Sequence, residues 1–182
     1  MKKFFPVSKL ALVACLFLGV HATSHSADSV SVSLGSGDRT DMVRVGAQWN
    51  WAAQWWKSNN THIGGYWNLN LAKWRGNRFR NIPNNRQDLF AIGLTPVFRF
   101  QRDSLTGPYA EFGIGVYYLS ELYDNDDKKL STKFQFGDHI GVGYVFNNRL
   151  DVGVKLQHFS NGGIKKPNSG VDMLVVEARY GF

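Results

Sequence analysis

The sequence predicts an all-β protein, an eight-stranded antiparallel transmembrane β-barrel of the bacterial outer membrane. Three observations carry this. Apolar residues alternate with polar ones in eight separate stretches. The opposite face of those stretches mixes glycine and amides with charges. The chain ends on Tyr180-Gly181-Phe182, an amphipathic last strand finished by phenylalanine.

Composition sets the frame. The 182 residues are 43% hydrophobic, 14% aromatic and 19% charged, which suits one domain with its own core and not a disordered tail. Mean hydropathy is −0.26. Past residue 27 no apolar run reaches the roughly 20 residues of a helical span. The start is different. Met1-Lys2-Lys3 leads into the apolar stretch Leu10 to Val20, the pattern of a secretory signal. The expected signal covers residues 1–27, with cleavage between 24 and 27, and the barrel domain covers 28–182. Leu12-Val13-Ala14-Cys15 resembles a lipoprotein box, but the apolar run continues beyond Cys15, as in a simple signal core. Removing residues 1–27 takes away three lysines and no acid. That leaves 18 basic against 14 acidic groups, a net charge of +4 in place of +7. Support for a nucleic-acid partner goes with it. No cysteine then remains for a disulfide or a cysteine-rich metal site.

The elements follow in order. Val30, Val32 and Leu34 alternate with serines. Val43, Val45, Ala47, Trp49 and Trp51 alternate with Arg44, Gly46, Gln48 and Asn50. Trp67, Leu69 and Leu71 form the third stretch, and Phe90, Ile92, Leu94, Phe98 and Phe100 the fourth. Phe112, Ile114, Val116 and Tyr118 oppose Glu111, Gly113 and Gly115. Phe134, Phe136, Ile140, Val142, Tyr144 and Phe146 oppose Gln135, Gly137, Gly141 and Gly143. Leu150, Val152, Val154 and Leu156 oppose Gly153, Lys155 and Gln157. Leu174, Val176, Ala178, Tyr180 and Phe182 oppose Glu177 and Arg179.

Alternation alone fits either a barrel with an apolar inside or one with an apolar outside. Aromatics at the strand ends and all six tryptophans between Trp49 and Trp74 favour girdles at a lipid boundary. Asp138 breaks the apolar parity of the sixth stretch, so a bulge or register change is expected there. With both termini on the periplasmic side, residues 75–86, 120–131 and 161–170 are extracellular, and Asn147-Asn148-Arg149 is a tight periplasmic turn. The segment 52–61 is periplasmic and unusually long. The run Asp124 to Asp127 is read as solvated loop.

His158 and Ser160 continue the lipid-facing parity of the seventh stretch. Two residues apart on a strand, their Cα atoms lie about 6.5 Å apart on one face. Asp172 has the same parity on the eighth, where a cross-strand partner comes within about 5 Å at Cβ. Serine, histidine and acid then line up as nucleophile, base and orienter. Glu177 has the opposite parity and is assigned to the lumen. The alternative for His158-Phe159-Ser160 is a polar boundary at the membrane rim.

At these residues the sequence resembles a known family. His158-Phe159-Ser160-Asn161-Gly162-Gly163, followed by Pro167-Asn168-Ser169-Gly170, is similar to the catalytic segment of the outer-membrane lipid A 3-O-deacylases. Weaker likeness extends through Trp49-Asn50-Trp51, Gly65-Tyr66-Trp67, Pro96-Val97-Phe98 and Glu111 to Val116. The resemblance implies an eight-stranded barrel esterase that releases the 3-linked acyl chain of lipid A, with Ser160 as nucleophile and His158 as base. Asn161, Gly163 and Asn168 are then the candidates for oxyanion support. The family pattern carries Glu where this chain has Asp172, an acid one methylene shorter. The expected partners are lipopolysaccharide and membrane lipids, and the site belongs at the outer-leaflet rim.

No cofactor or metal is expected, since His62 and His139 sit in no ligand cluster. Oligomeric state is left open, a homodimer included. Arg78, Arg80, Lys165 and Lys166 are candidate contacts for lipid A phosphates, set against an ordinary solvated loop. Two rival functions stand beside the esterase. One is a non-catalytic structural or adhesive barrel, and the other is a lipid acyltransferase with an apolar pocket inside the barrel.

Overall fold

The computed structural model describes residues 26–182. The expected signal lies outside the described residues except for its last two. Hydrogen bonding begins at Asp28, whose N–H is given to the Gln48 carbonyl and whose own carbonyl accepts from Phe182.

Eleven strands follow: β1 (Ser29–Gly37), β2 (Thr40–Asn50), β3 (Trp55–Ser58), β4 (Thr61–Gly76), β5 (Gln87–Arg102), β6 (Gly107–Leu119), β7 (Tyr123–Asn125), β8 (Lys128–Leu130), β9 (Phe134–Val145), β10 (Leu150–Ser160) and β11 (Val171–Gly181). Eight of them form the wall in the order β2-β1-β11-β10-β9-β6-β5-β4. Pairing of β4 with β2 closes the barrel, and every ladder is antiparallel. The wall strands alternate buried and exposed residues, as a one-sided apolar face requires. Here the exposed face is the apolar one: Val32, Leu34, Ile92, Ile114, Ile140, Leu156 and Leu174 all stand outward.

One end of the barrel carries the short turns 103–106 and 146–149. The other carries the longer loops 77–86 and 161–170. The long segment after β2 joins the turn end, where β3 folds back on the start of β4 through Trp55 and Ile63. That hairpin accounts for its length. Tryptophans gather there: Trp51 meets Trp55, Trp67 and Phe98 edge to face, and Gly65 leaves the room in which Trp51 lies on the wall.

Three expectations need correction. Asp138 causes no bulge. The β9–β10 register runs unbroken from Asp151↔Val145 through His158↔Asp138 to Ser160↔Phe136, because a carboxylate near the rim can stay outward in reach of water and head groups. Trp74 is not in a girdle. It has inward parity on β4 and is only 1% exposed, packed on Tyr123 and Phe159. The run Asp124 to Asp127 is not merely solvated. It forms the β7–β8 hairpin, whose Asn125 is fully buried.

The lumen has two layers. Toward the turn end it holds an ion network. Arg99 pairs with Glu111 and Asp151 at 2.6 and 2.7 Å. Lys155 reaches Glu111 and Glu177 at 2.8 Å each. Toward the loop end it is apolar, filled by Met42, Trp74, Leu89, Leu119, Tyr123, Leu130, Phe159 and Met173. This plug supports the strand ends that carry the candidate site.

Candidate active site

Alternation on β10 sends Gln157 and Phe159 into the lumen and leaves His158 and Ser160 on the outer face. On β11 it does the same for Asp172, which stands opposite His158 in the ladder. The contact this register allows is made: His158 Nδ1 and Asp172 Oδ1 lie 2.6 Å apart. The carboxylate accepts a hydrogen bond from Nδ1–H, which leaves Nε2 as the free nitrogen facing outward. Ser160 shares the face of His158 but makes no hydrogen bond to it. Glu177 points inward, bonded to Ser33 and Lys155.

The pair is held from two sides. Asp172 donates its backbone N–H to the Asp38 carboxylate at 2.8 Å, across the β1–β11 seam. Asp38 opens the two-residue β1–β2 turn with φ of +47°, followed by Arg39 at +53°, the backbone of a tight primed hairpin. Gly170 lies over the imidazole. Its φ is +73°, and a Cβ there would come within 2.6 Å of His158 Cε1, so glycine is required both by the backbone and by the ring.

Residues 161–170 form a bonded frame. Asn161 is fully buried. Its backbone N–H goes to Asn168 Oδ1 at 3.0 Å. Its Nδ2 donates to the Lys165 carbonyl, and its Oδ1 accepts from Gly163 N–H. Asn161 and Gly163 are thus engaged within the loop. Asn168 uses its oxygen there and keeps its Nδ2 without a partner among the described residues. The β7–β8 hairpin grips the same loop. Ser131 donates its hydroxyl to the Lys165 carbonyl and its N–H to Pro167. Ser169 N–H bonds Lys129. The hairpin is itself anchored by Asn125, which accepts from Arg78 N–H and donates to the Asp38 carbonyl. Burial pushes the Tyr123 hydroxyl above its ordinary pKa, so it stays protonated against Thr40.

Of the four expected phosphate contacts, Arg78 is paired with Asp126 at 3.3 Å. Arg80 lies over the Phe79 ring, 5.0 Å from its centroid. Lys165 and Lys166 are exposed, and their side chains pair with no carboxylate among the described residues. Below the site runs an open groove of about 550 Å³, lined by Phe112, Ile114, Ile140, Leu156 and Leu174 with Asp138, His158 and Asp172. It lies outside the wall; the lumen behind it is occupied by Tyr117, Phe159 and Met173.

Comparison with known proteins gives the family and agrees with the fold. The model of the lipid A 3-O-deacylase (PagL) family matches residues 41–181. The chain belongs to that family. It is 33% identical over 175 residues to the lipid A deacylase PagL of Pseudomonas aeruginosa, covering 94% of each chain. It is 32% identical over 186 residues to that of Bordetella bronchiseptica, covering 100% of this chain and 96% of the relative. Among solved structures it is similar to the crystal structure of the outer membrane enzyme PagL, with a TM-score of 0.73 at 29% identity, covering 85% of this chain and 99% of the other. The barrel is accordingly an outer-membrane protein.

Asp38, Asn125 and Ser131 support the candidate site and were passed over by sequence reasoning; Gly170 stood in the quoted motif with no role assigned to it. The others act through contacts between distant loops.

Proposed function

We propose that this chain removes the 3-linked acyl chain of lipid A as a serine esterase, with Ser160, His158 and Asp172 as its catalytic residues. The observation that carries the reading is the 2.6 Å bond between His158 Nδ1 and Asp172 on the outer face of the wall, two residues from Ser160. A Ser–His–acid set on that face, at the end with the long loops, meets a lipid of the outer leaflet.

In the first step the Ser160 hydroxyl attacks the ester carbonyl while His158 Nε2 takes its proton. The apo separation of Ser160 from the ring closes when substrate fills the site. Negative charge develops on the carbonyl oxygen, and Asn168 Nδ2 is the donor left free to meet it; Asn161 and Gly163 hold Asn168 in place. The tetrahedral intermediate expels the sugar oxygen, which receives the proton from His158. Water, activated by the same nitrogen, then releases the acid from Ser160. Arg80, Lys165 and Lys166 supply positive charge for the sugar phosphates.

Mass spectrometry of lipid A from a host with an intact outer membrane tests the reading. Expression should remove one hydroxyacyl unit, and Ser160→Ala should restore the parent mass. An unchanged spectrum with a correctly assembled wild-type barrel would return the protein to the non-catalytic class.

A further inference from the structure

Asp172 reaches the imidazole through a single methylene, so its carboxylate goes where its main chain goes. On the β10 side Asp172 stands opposite His158. On the other side the β1–β11 ladder ends at Ser36↔Leu174, two residues short of the acid. Beyond that pair β1 bends into its turn, and Gly37 and Asp38 are what Asp172 meets there.

Both polar main-chain groups of Asp172 face that turn. Its N–H is given to Asp38 Oδ2 at 2.8 Å. Its carbonyl oxygen lies against Gly37, where a Cβ would collide with it. In an antiparallel pair, a residue with both groups turned away from its partner shares no main-chain bond with it. His158 and Asp172 therefore meet through their side chains, and the Asp38 carboxylate stands in for the ladder bond that β1 is too short to supply. Asp38 is itself fixed. Its carbonyl accepts from Asn125 Nδ2 at 3.1 Å, and Lys128 Nζ stands 3.8 Å from the same Oδ2.

Resting on the esterase reading, we propose that Asp38 is a positioning residue for the reaction, which holds the main chain of Asp172 so that this short acid reaches Nδ1 of His158. Asp38 acts through its acceptor oxygen and not through its charge. A longer acid has one more rotatable bond, so it follows the imidazole from a displaced main chain and depends less on Asp38.

The test is a double-mutant cycle on the full-length protein in detergent, with turnover of purified lipid A followed by mass spectrometry. Asp38→Gly removes the carboxylate and tolerates the φ of +47° at this position. It should lower kcat by about 10- to 100-fold and leave KM within about twofold, because a displaced catalytic group costs rate and not binding. Asp38→Asn keeps an acceptor oxygen and also suits a left-handed backbone, so it should stay within about threefold of the wild type. Combined with Asp172→Glu, the change Asp38→Gly should cost less than about threefold, a coupling that loss of folded protein would not produce. The same fold loss with and without Asp172→Glu, or a loss in Asp38→Asn as large as in Asp38→Gly, would overturn the proposal. If Asp38→Gly gives no heat-modifiable band on SDS gels, Asp38→Asn decides alone, and a loss beyond about threefold overturns it. Failure of the esterase reading looks different: the wild type leaves lipid A intact, or Ser160→Ala cleaves it as fast.

Discussion

The charged residues of the lumen and those of the outer rim come from the same strands yet differ in how completely they are paired. On β10, Asp151 and Lys155 point inward and bind Arg99, Arg179, Tyr109, Glu111 and Glu177. One turn of the pleat moves His158 and Ser160 outward, where His158 has one bond and Ser160 none. A buried ion network must satisfy its members, since each unpaired charge is expensive. A reactive site must leave capacity free for its substrate. Dense pairing therefore marks the structural network here, and spare capacity marks the candidate site.

The largest effect expected from this contrast is at the incomplete end. Ser160→Ala and His158→Ala should each lower deacylation by at least about 10⁴-fold, and the double change should be no worse, because the two act as a unit. Both variants should still give a heat-modifiable barrel. Near wild-type turnover of a folded Ser160→Ala protein would end the serine mechanism. Asp172→Asn should come next, with a loss of about 10³-fold from the wrong imidazole tautomer. Asp172→Glu should stay within about tenfold, since the family pattern carries Glu at this position. Asn168→Ala should cost about 10²-fold in kcat with little change in KM, the mark of a donor used in the transition state. A rise in KM alone would make Asn168 a ground-state contact.

Glu177→Gln sharpens the comparison from the other side. It removes the carboxylate shared by Lys155 and Arg44. Urea unfolding in detergent should show a loss of about 3 kcal/mol, while turnover of the folded fraction stays within about twofold. If Glu177→Gln abolishes chemistry and Asp172→Asn does not, the assignment of inward and outward faces is wrong.

The alternation that made the barrel legible also made the candidate catalytic residues legible. Parity put His158, Ser160 and Asp172 on one face and Glu177 on the other, and local pleating realises that placement. Trp74 has the opposite parity to Trp67 on β4, so alternation already points it inward; grouping it with the other tryptophans hid this, and the apolar layer that receives it comes from other strands. The bulge expected at Asp138 assumed that an outward carboxylate must be a register error. It ignored height on the wall, and height is fixed by cross-strand register. The β7–β8 hairpin was hidden for a third reason. Asn125 and Ser131 act through main-chain bonds to loops 77–86 and 161–170, contacts between segments far apart in sequence.

The bond from Asp38 to the backbone of Asp172 spans the seam where the first and last strands of the wall meet. A chain that has not zipped this seam lacks the Asp38 contact, and the acid of the site stands on an unsecured strand. Barrel closure therefore also completes the support of the candidate acid.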